Sequence, residues 1–244
     1  MSFPLDLPDD YPWWPGSRRF ILEDMAELAA RLGSPVVYDR RGQVAWFDHF
    51  AAGLSGWVTN GVGTGWAVET VAESTLFPGF AIKLTAGSTS SRYAAILKSF
   101  SSPDVGRSGV EVAVSFLSEF DKIDLMLEQF TGTTWIYGRI RIDRANNVIQ
   151  YRDSSGTYQT ILALPTPDTI DVAYQYAKLV IDWNLNEYVR FLYNQSEYDL
   201  SGIPLYQEAN ASAPVQGMTF QFFSRSGEND VCQIGSVVLT VGEP

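Results

Sequence analysis

The chain has 244 residues, 45% of them hydrophobic and 14% aromatic, which is enough for a sizeable core and excludes disorder of the whole chain. A formal net charge of −11 leaves no basic face to neutralise phosphates, so nucleic acid and an anionic membrane surface are both unsuitable partners. Cys232 is the single cysteine and His49 the single histidine, which rules out an intrachain disulfide, a thiolate metal cluster and a His-rich metal site.

The first sixteen residues, MSFPLDLPDDYPWWPG, hold Pro4, Pro8, Pro12 and Pro15 with Phe3, Tyr11, Trp13 and Trp14 between them. Proline at that density blocks helix and central strand alike and leaves an extended arm. The stretch has no basic segment followed by an apolar one, as a secretory signal would, and no apolar run approaches the roughly 20 residues needed to span a bilayer. A chain soluble in the cytoplasm where it is made is the expectation.

Ser17 can cap a short helix over residues 18–32, where Phe20, Ile21, Met25, Leu28 and Leu32 recur at helical spacing, and Gly33-Ser34-Pro35 stops it. Residues 36–38 and 43–47 around Asp39-Arg40-Arg41-Gly42 read as a small hairpin. A helix this short needs a surface to lie on, and exposed aromatics mark interaction sites. Tyr11, Trp13, Trp14, Phe20, Met25 and Leu28 are therefore the candidate partner-binding residues, with folding back onto the chain's own sandwich as the competing reading.

From Trp46 onward strands and turns follow one another. Strands are predicted at 57–58, 66–71, 80–85, 93–100, 110–117, 123–129, 135–143, 147–153, 157–163, 195–199, 218–224 and 232–241, with a hairpin over 174–193. Asn60-Gly61, Ala86-Gly87, residues 104–109, Asn146-Asn147, Ser155-Gly156 and Ser226-Gly227 carry the turn chemistry. In the hairpin, runs 177–183 and 188–193 flank Asn184-Leu185-Asn186-Glu187. Leu179, Ile181 and Trp183 fall on one face and Lys178, Val180 and Asp182 on the other, which implies a sheet with one side in a core. Many short strands without helical inserts mean an all-β antiparallel sandwich, residues 46–244, preceded by an arm, short helix and small hairpin in residues 1–45.

Trp46-Phe47-Asp48-His49-Phe50, Gly53-Leu54 and Gly56-Trp57 resemble the opening strand of concanavalin-A-like (laminin-G-like) jelly-roll sandwiches. Residues 177–202 are similar to their later strands, and Cys232 to Pro244 to the closing strand that returns beside the first. Residues 13–50 resemble the leader of some tailed-phage virion proteins, in which a short anchor precedes a jelly-roll body. That resemblance implies a non-enzymatic capsid-decorating or tail-associated protein, anchored by its N-terminus, oligomeric, and partnered by capsid or tail subunits at the virion surface.

Three ligand chemistries compete with a purely structural role. Glu119, Asp121 and Asp124 imitate the alternating acids of laminarinase-like sandwich glycosidases, in which a nucleophile and an acid/base need carboxyl groups about 5–5.5 Å apart; a solvated hairpin tip accounts for the same charges. Asp48 with Glu228-Asn229-Asp230 would hold a structural calcium if first and last strands bring them together, against loop acids that merely face water, so no cofactor is assigned. A carbohydrate-binding face is the leading rival function, with Trp135, Tyr137, Tyr151, Tyr158, Tyr174, Tyr176 and Tyr188 as its rings, though alternating strand positions also suit packing. No Gly-x-Ser-x-Gly elbow joins His49 in a triad, and Gly61-Val62-Gly63-Thr64-Gly65 lacks the lysine of a phosphate loop.

Overall fold

The structure, a computed structural model, describes residues 39, 41–72, 80–89, 92–100, 106–164, 173–194, 196–211 and 214–244. The expected arm and helix, and with them Tyr11, Trp13, Trp14, Phe20, Met25 and Leu28, lie outside the described residues.

Among the described residues, sixteen strands follow in chain order: β1 (Gln43–Asp48), β2 (Val58–Val62), β3 (Ala67–Val71), β4 (Ala81–Thr85), β5 (Tyr93–Phe100), β6 (Arg107–Phe116), β7 (Lys122–Phe130), β8 (Thr134–Asp143), β9 (Val148–Arg152), β10 (Tyr158–Ala163), β11 (Gln175–Asp182), β12 (Glu187–Tyr193), β13 (Ser196–Asp199), β14 (Tyr206–Ala209), β15 (Val215–Phe223) and β16 (Val231–Val241). They form two antiparallel eight-stranded sheets, the jelly-roll β-sandwich expected. Sheet A runs β13-β12-β11-β6-β16-β4-β3, with β1 also on β16; sheet B runs β10-β9-β8-β7-β15-β5-β2, with β14 also on β8.

The first described strand does return beside the last: β1 pairs Gln43–Asp48 with Val241 to Val237. One flank of β16 thus serves two partners, β4 against residues 231–234 and β1 against residues 237–241. The register of β16 on β6 slips between Ile234 and Ser236, so Gly235 is the extra residue of a bulge that separates the two partners. Two expected turns lie elsewhere. Asn60-Gly61 sits inside β2 and Gly109 inside β6, because β-branched neighbours and cross-strand pairing outweigh a local turn preference.

Between the sheets lie Ile82, Leu84, Ile96, Val112, Val114, Ile123, Leu125, Leu127, Ile140, Leu179, Ile181, Phe191, Phe220 and Phe222. Cys232 is fully buried among them, and burial pushes its thiol well above the ordinary range. The stretch before β7 is a crossing between sheets rather than a hairpin tip, since β6 belongs to sheet A and β7 to sheet B. Phe120 anchors it, buried against Phe116 at 4.6 Å and Phe222 at 5.7 Å.

The β11–β12 hairpin forms as expected, with Asn186 closing its turn at φ 55°, a left-handed conformation asparagine tolerates. Its mixed face is not solvated. Lys178 is 0% exposed, with Nζ 2.7 Å from Glu243 Oε1 and donating to Asp39 Oδ2 at 2.9 Å. Arg190 pairs with the other Glu243 oxygen and donates to the Pro244 carbonyl, and Thr240 donates to Glu243. Glu111 lies beside this group, takes a hydrogen bond from the Asp39 backbone N–H, and is driven up to about 7 by burial, which the Lys178 charge only partly offsets. Asp39 itself is held below the ordinary carboxylate range: burial opposes this, but Arg41 and Lys178 outweigh it.

Candidate functional site

Alternation along β7 sends Ile123, Leu125 and Leu127 into the core and Asp124, Met126 and Glu128 to the opposite face of sheet B. Register sets Arg141, Arg139 and Tyr137 of β8 directly opposite these three. On the other flank of β8, Tyr206 of β14 lies opposite Tyr137 and Glu208 opposite Trp135, while Gln150 of β9 lies opposite Arg141. Short strands β9 and β14 thus share one side of β8 and bring chemistry from three separate segments to one surface.

One end of that surface is a strip of aromatic rings. Phe130 and Trp135 stack at 5.5 Å with planes 3° apart, Trp135 meets Tyr137 at 4.5 Å, and Tyr137 meets Tyr206 at 5.1 Å. Trp135 Nε1 donates to Glu128 Oε2 at 2.8 Å, which fixes the plane of the indole, and Thr219 Oγ1 donates to Glu128 Oε1 at 3.2 Å. Burial raises the Glu128 pKa, against the lowering effect of Trp135, Thr219 and Arg139. Arg152 lies over the Tyr206 ring at 4.2 Å and donates to the Tyr137 hydroxyl and, through Nε, to the Gly156 carbonyl at 3.2 Å. Phe130, Trp135, Arg152 and Tyr206 are all partly exposed, whereas Tyr137 is buried beneath them.

The middle of the face is ionic. Arg141 grips Asp124 bidentately, Nε to Oδ1 at 2.7 Å and Nη2 to Oδ2 at 2.8 Å, while its guanidinium lies 3.8 Å over Tyr158. Arg139 approaches Asp124 at 3.6 Å and donates to Tyr158 at 3.3 Å. Burial works against both guanidinium charges, but Asp124 outweighs it and their pKa values rise.

The platform is held from behind. Tyr188 of sheet A crosses the core, and its hydroxyl accepts from the Arg139 backbone N–H at 2.9 Å and donates to the Arg152 carbonyl at 2.7 Å. Gly138 makes the crossing possible, since a Cβ there would stand 2.5 Å from Ile181 Cδ1 and 2.9 Å from Tyr188 Cε1.

The expected residues divide accordingly. Trp135, Tyr137 and Tyr158 converge on this face; Tyr151 and Tyr188 meet edge-on in the core at 5.7 Å, and Tyr176 belongs to sheet A. Of the acids weighed for hydrolysis, Glu119 is exposed and paired with Arg225 at 2.6 Å, Asp121 precedes β7 and reaches only the end of the face beside Lys122, and Asp124 alone lies on a strand of the face. The acid that shares this face of β7 with Asp124 is Glu128, four residues on, about 13 Å between Cα atoms at 3.3 Å per strand residue. Each oxygen of both carboxylates receives a hydrogen bond, and Met126 stands between them. These acids orient rings and guanidiniums.

The calcium grouping is not assembled. Asp48 pairs opposite Val237, about 20 Å along β16 from Asp230. Asp48 accepts from the Phe50 N–H at 2.6 Å and Trp57 Nε1 at 2.9 Å, tying down the loop between them, and Asp230 is taken by Arg225. Among the described residues, no group of three or more His, Cys, Asp or Glu side chains is placed to hold a metal ion.

Reading the sequence did not find Arg139, Arg141, Arg152, Glu128, Tyr206 or Glu208. The signal for three of them, Glu128, Arg139 and Arg141, was present in the alternation Asp124-Leu125-Met126-Leu127-Glu128 and Arg139-Ile140-Arg141, whose polar positions share one strand face.

No family model and no curated protein matches this sequence. Among solved structures, the chain is similar over 83% of its length to 19% of a sialidase chain, at 12% identity and a TM-score of 0.50. It is similar over 82% of its length to 97% of a glycosidic hydrolase, at 11% identity and a TM-score of 0.50. A third, the CBM2 module of the evolved Dit of Lactobacillus casei BL23 phage J-1, aligns over 82% of this chain and 95% of that one, at 12% identity and a TM-score of 0.48. The first two likenesses show a shared sandwich fold.

Proposed function

We propose that this protein is a non-enzymatic virion component of a tailed phage, a jelly-roll sandwich anchored through its N-terminal segment that binds a surface glycan through the outward face of sheet B. The observation that carries glycan binding is the strip Phe130–Trp135–Tyr206 with Arg152 over Tyr206. Partly exposed rings supply flat apolar area for the C–H faces of sugar rings, and guanidinium and carboxylate groups beside them supply donors and acceptors for hydroxyls. The Glu128 bond to Trp135 and the Tyr188 support fix the platform before ligand arrives, which lowers the ordering cost of binding. The engaged state of Asp124 and Glu128 favours recognition over hydrolysis. The virion setting is supported by the resemblance of residues 13–50 to phage leaders.

Two measurements test the two parts. On a glycan array the full-length protein binds at least one oligosaccharide, and Trp135→Ala abolishes that binding; an array without signal, or a signal indifferent to Trp135→Ala, removes the glycan reading. In light scattering the full-length chain forms an oligomer, and a chain starting at Tyr38 is smaller in subunit number. Identical subunit numbers remove the anchor reading.

A further inference from the structure

Beyond Arg141, at the opposite end of the same face from Trp135, a cavity of about 470 Å³ opens among Arg92, Tyr93, Asp121, Lys122, Arg141 and Phe223. Phe223 lies opposite Lys122 in register, its ring is 5.6 Å from Tyr93, and Lys122 Nζ sits 5.1 Å over it. Arg92 Nε donates to the Ser224 carbonyl at 2.8 Å, which orients the guanidinium, and its Nη groups make no hydrogen bond among the described residues. Three cations against one acid line this cavity in a chain whose formal charge is −11. Two further acids stand nearby, and both are engaged: Asp124 by Arg141, and Asp143 by the backbone and side chain of Asn146 at 2.9 Å each.

We propose that this cavity binds the carboxylate of an acidic sugar residue, a uronic or a sialic acid, within the glycan held by the aromatic strip; the proposal rests on the glycan-binding reading of that face. The outer edge of Arg92 offers two parallel N–H groups, which match a planar carboxylate, and Lys122 adds a point charge beside it. Tyr93 and Phe223 give the sugar ring an apolar wall. Asp121, 3.5 Å from Lys122 Nζ, accepts from a sugar hydroxyl and disfavours a doubly charged phosphate through like-charge repulsion.

The test is titration calorimetry at physiological salt with the full-length protein and four probes: an oligogalacturonate, its carboxyl-reduced form, sialyllactose and lactose. At least one acidic probe binds tenfold or more tightly than its neutral counterpart, and whichever does so identifies the sugar. The double variant Arg92→Gln/Lys122→Gln brings that probe down to the affinity of the neutral one. Equal binding of acidic and neutral probes, no binding of either acidic probe, or a preference that survives in the double variant overturns the proposal. Trp135→Ala separates it from the broader reading. Loss of neutral and acidic binding together with no acidic preference sinks the cavity alone. Binding that ignores Trp135→Ala but is lost in the double variant sinks the strip and leaves the cavity standing.

Discussion

The two sheets carry the same kinds of charge on the faces they turn away from the shared core, and they use them in opposite ways. On sheet A, Lys178, Glu243, Asp39 and Arg190 are each less than a tenth exposed and close on one another. On sheet B, Arg141 and Arg139 hold Asp124 at the floor of a face whose neighbouring rings remain partly exposed and whose far end opens into a cavity. A closed ionic group fixes where chain segments lie, because any misplaced partner leaves a charge buried without compensation. The open one leaves guanidinium edges and ring faces for another molecule. Burial of the partners, more than the presence of the charges, separates a structural group from a binding one.

The largest effect that would break this comparison is expected in the closed group. Lys178→Met leaves Glu243 and Asp39 without their shared cation and destabilises the protein by about 3–5 kcal/mol, the range for stripping one partner from a buried pair. Chemical denaturation of Lys178→Met beside Lys178→Met/Glu243→Gln measures it, with the second change recovering part of the loss. A loss below about 1 kcal/mol would make the group no different from a surface ion pair.

A smaller effect follows from Glu111. Its carboxyl is pushed up to about 7 in the folded chain from an ordinary 4.5, so between those values the folded state binds more protons than the unfolded one. Stability contributed by this group is therefore full below about pH 4.5 and falls as pH rises to about 7, by on the order of 1 kcal/mol per pH unit at most. Glu128, also raised, acts in the same direction. Asp39, lowered, contributes stability that is lost only as pH falls below the ordinary Asp value, so it acts outside this window. Denaturation midpoints from pH 4.5 to 7.5 should decline in the native chain and decline less in Glu111→Gln. Parallel curves for the two would contradict this account of Glu111.

The sandwich itself was legible because strand alternation and turn residues are local signals. Leu179, Ile181 and Trp183 announce a core face wherever the chain goes. Lys178 was not legible as a buried residue: a lysine between apolar neighbours reads as the wet side of a strand, and its partner Asp39 is 139 residues away. The ring count at Trp135, Tyr137 and Tyr158 was legible too, but their convergence depends on β9 and β14 sharing one flank of β8, which topology alone supplies. The acids misled for a related reason. Glu119 and Asp121 precede the strand, so their spacing to Asp124 says nothing about a shared face, whereas Asp124 and Glu128 share one. The calcium grouping failed on distance along β16, even though the first and last strands pair as expected.

The division between a closed face and an open one is tested most directly by measuring glycan binding and thermal melting on the same samples of the native chain and Trp135→Ala. The account predicts that glycan binding is lost in the variant while cooperative melting persists within a few degrees of the native chain, as befits a partly exposed residue at the sheet surface. Undiminished binding by a folded Trp135→Ala protein would contradict it.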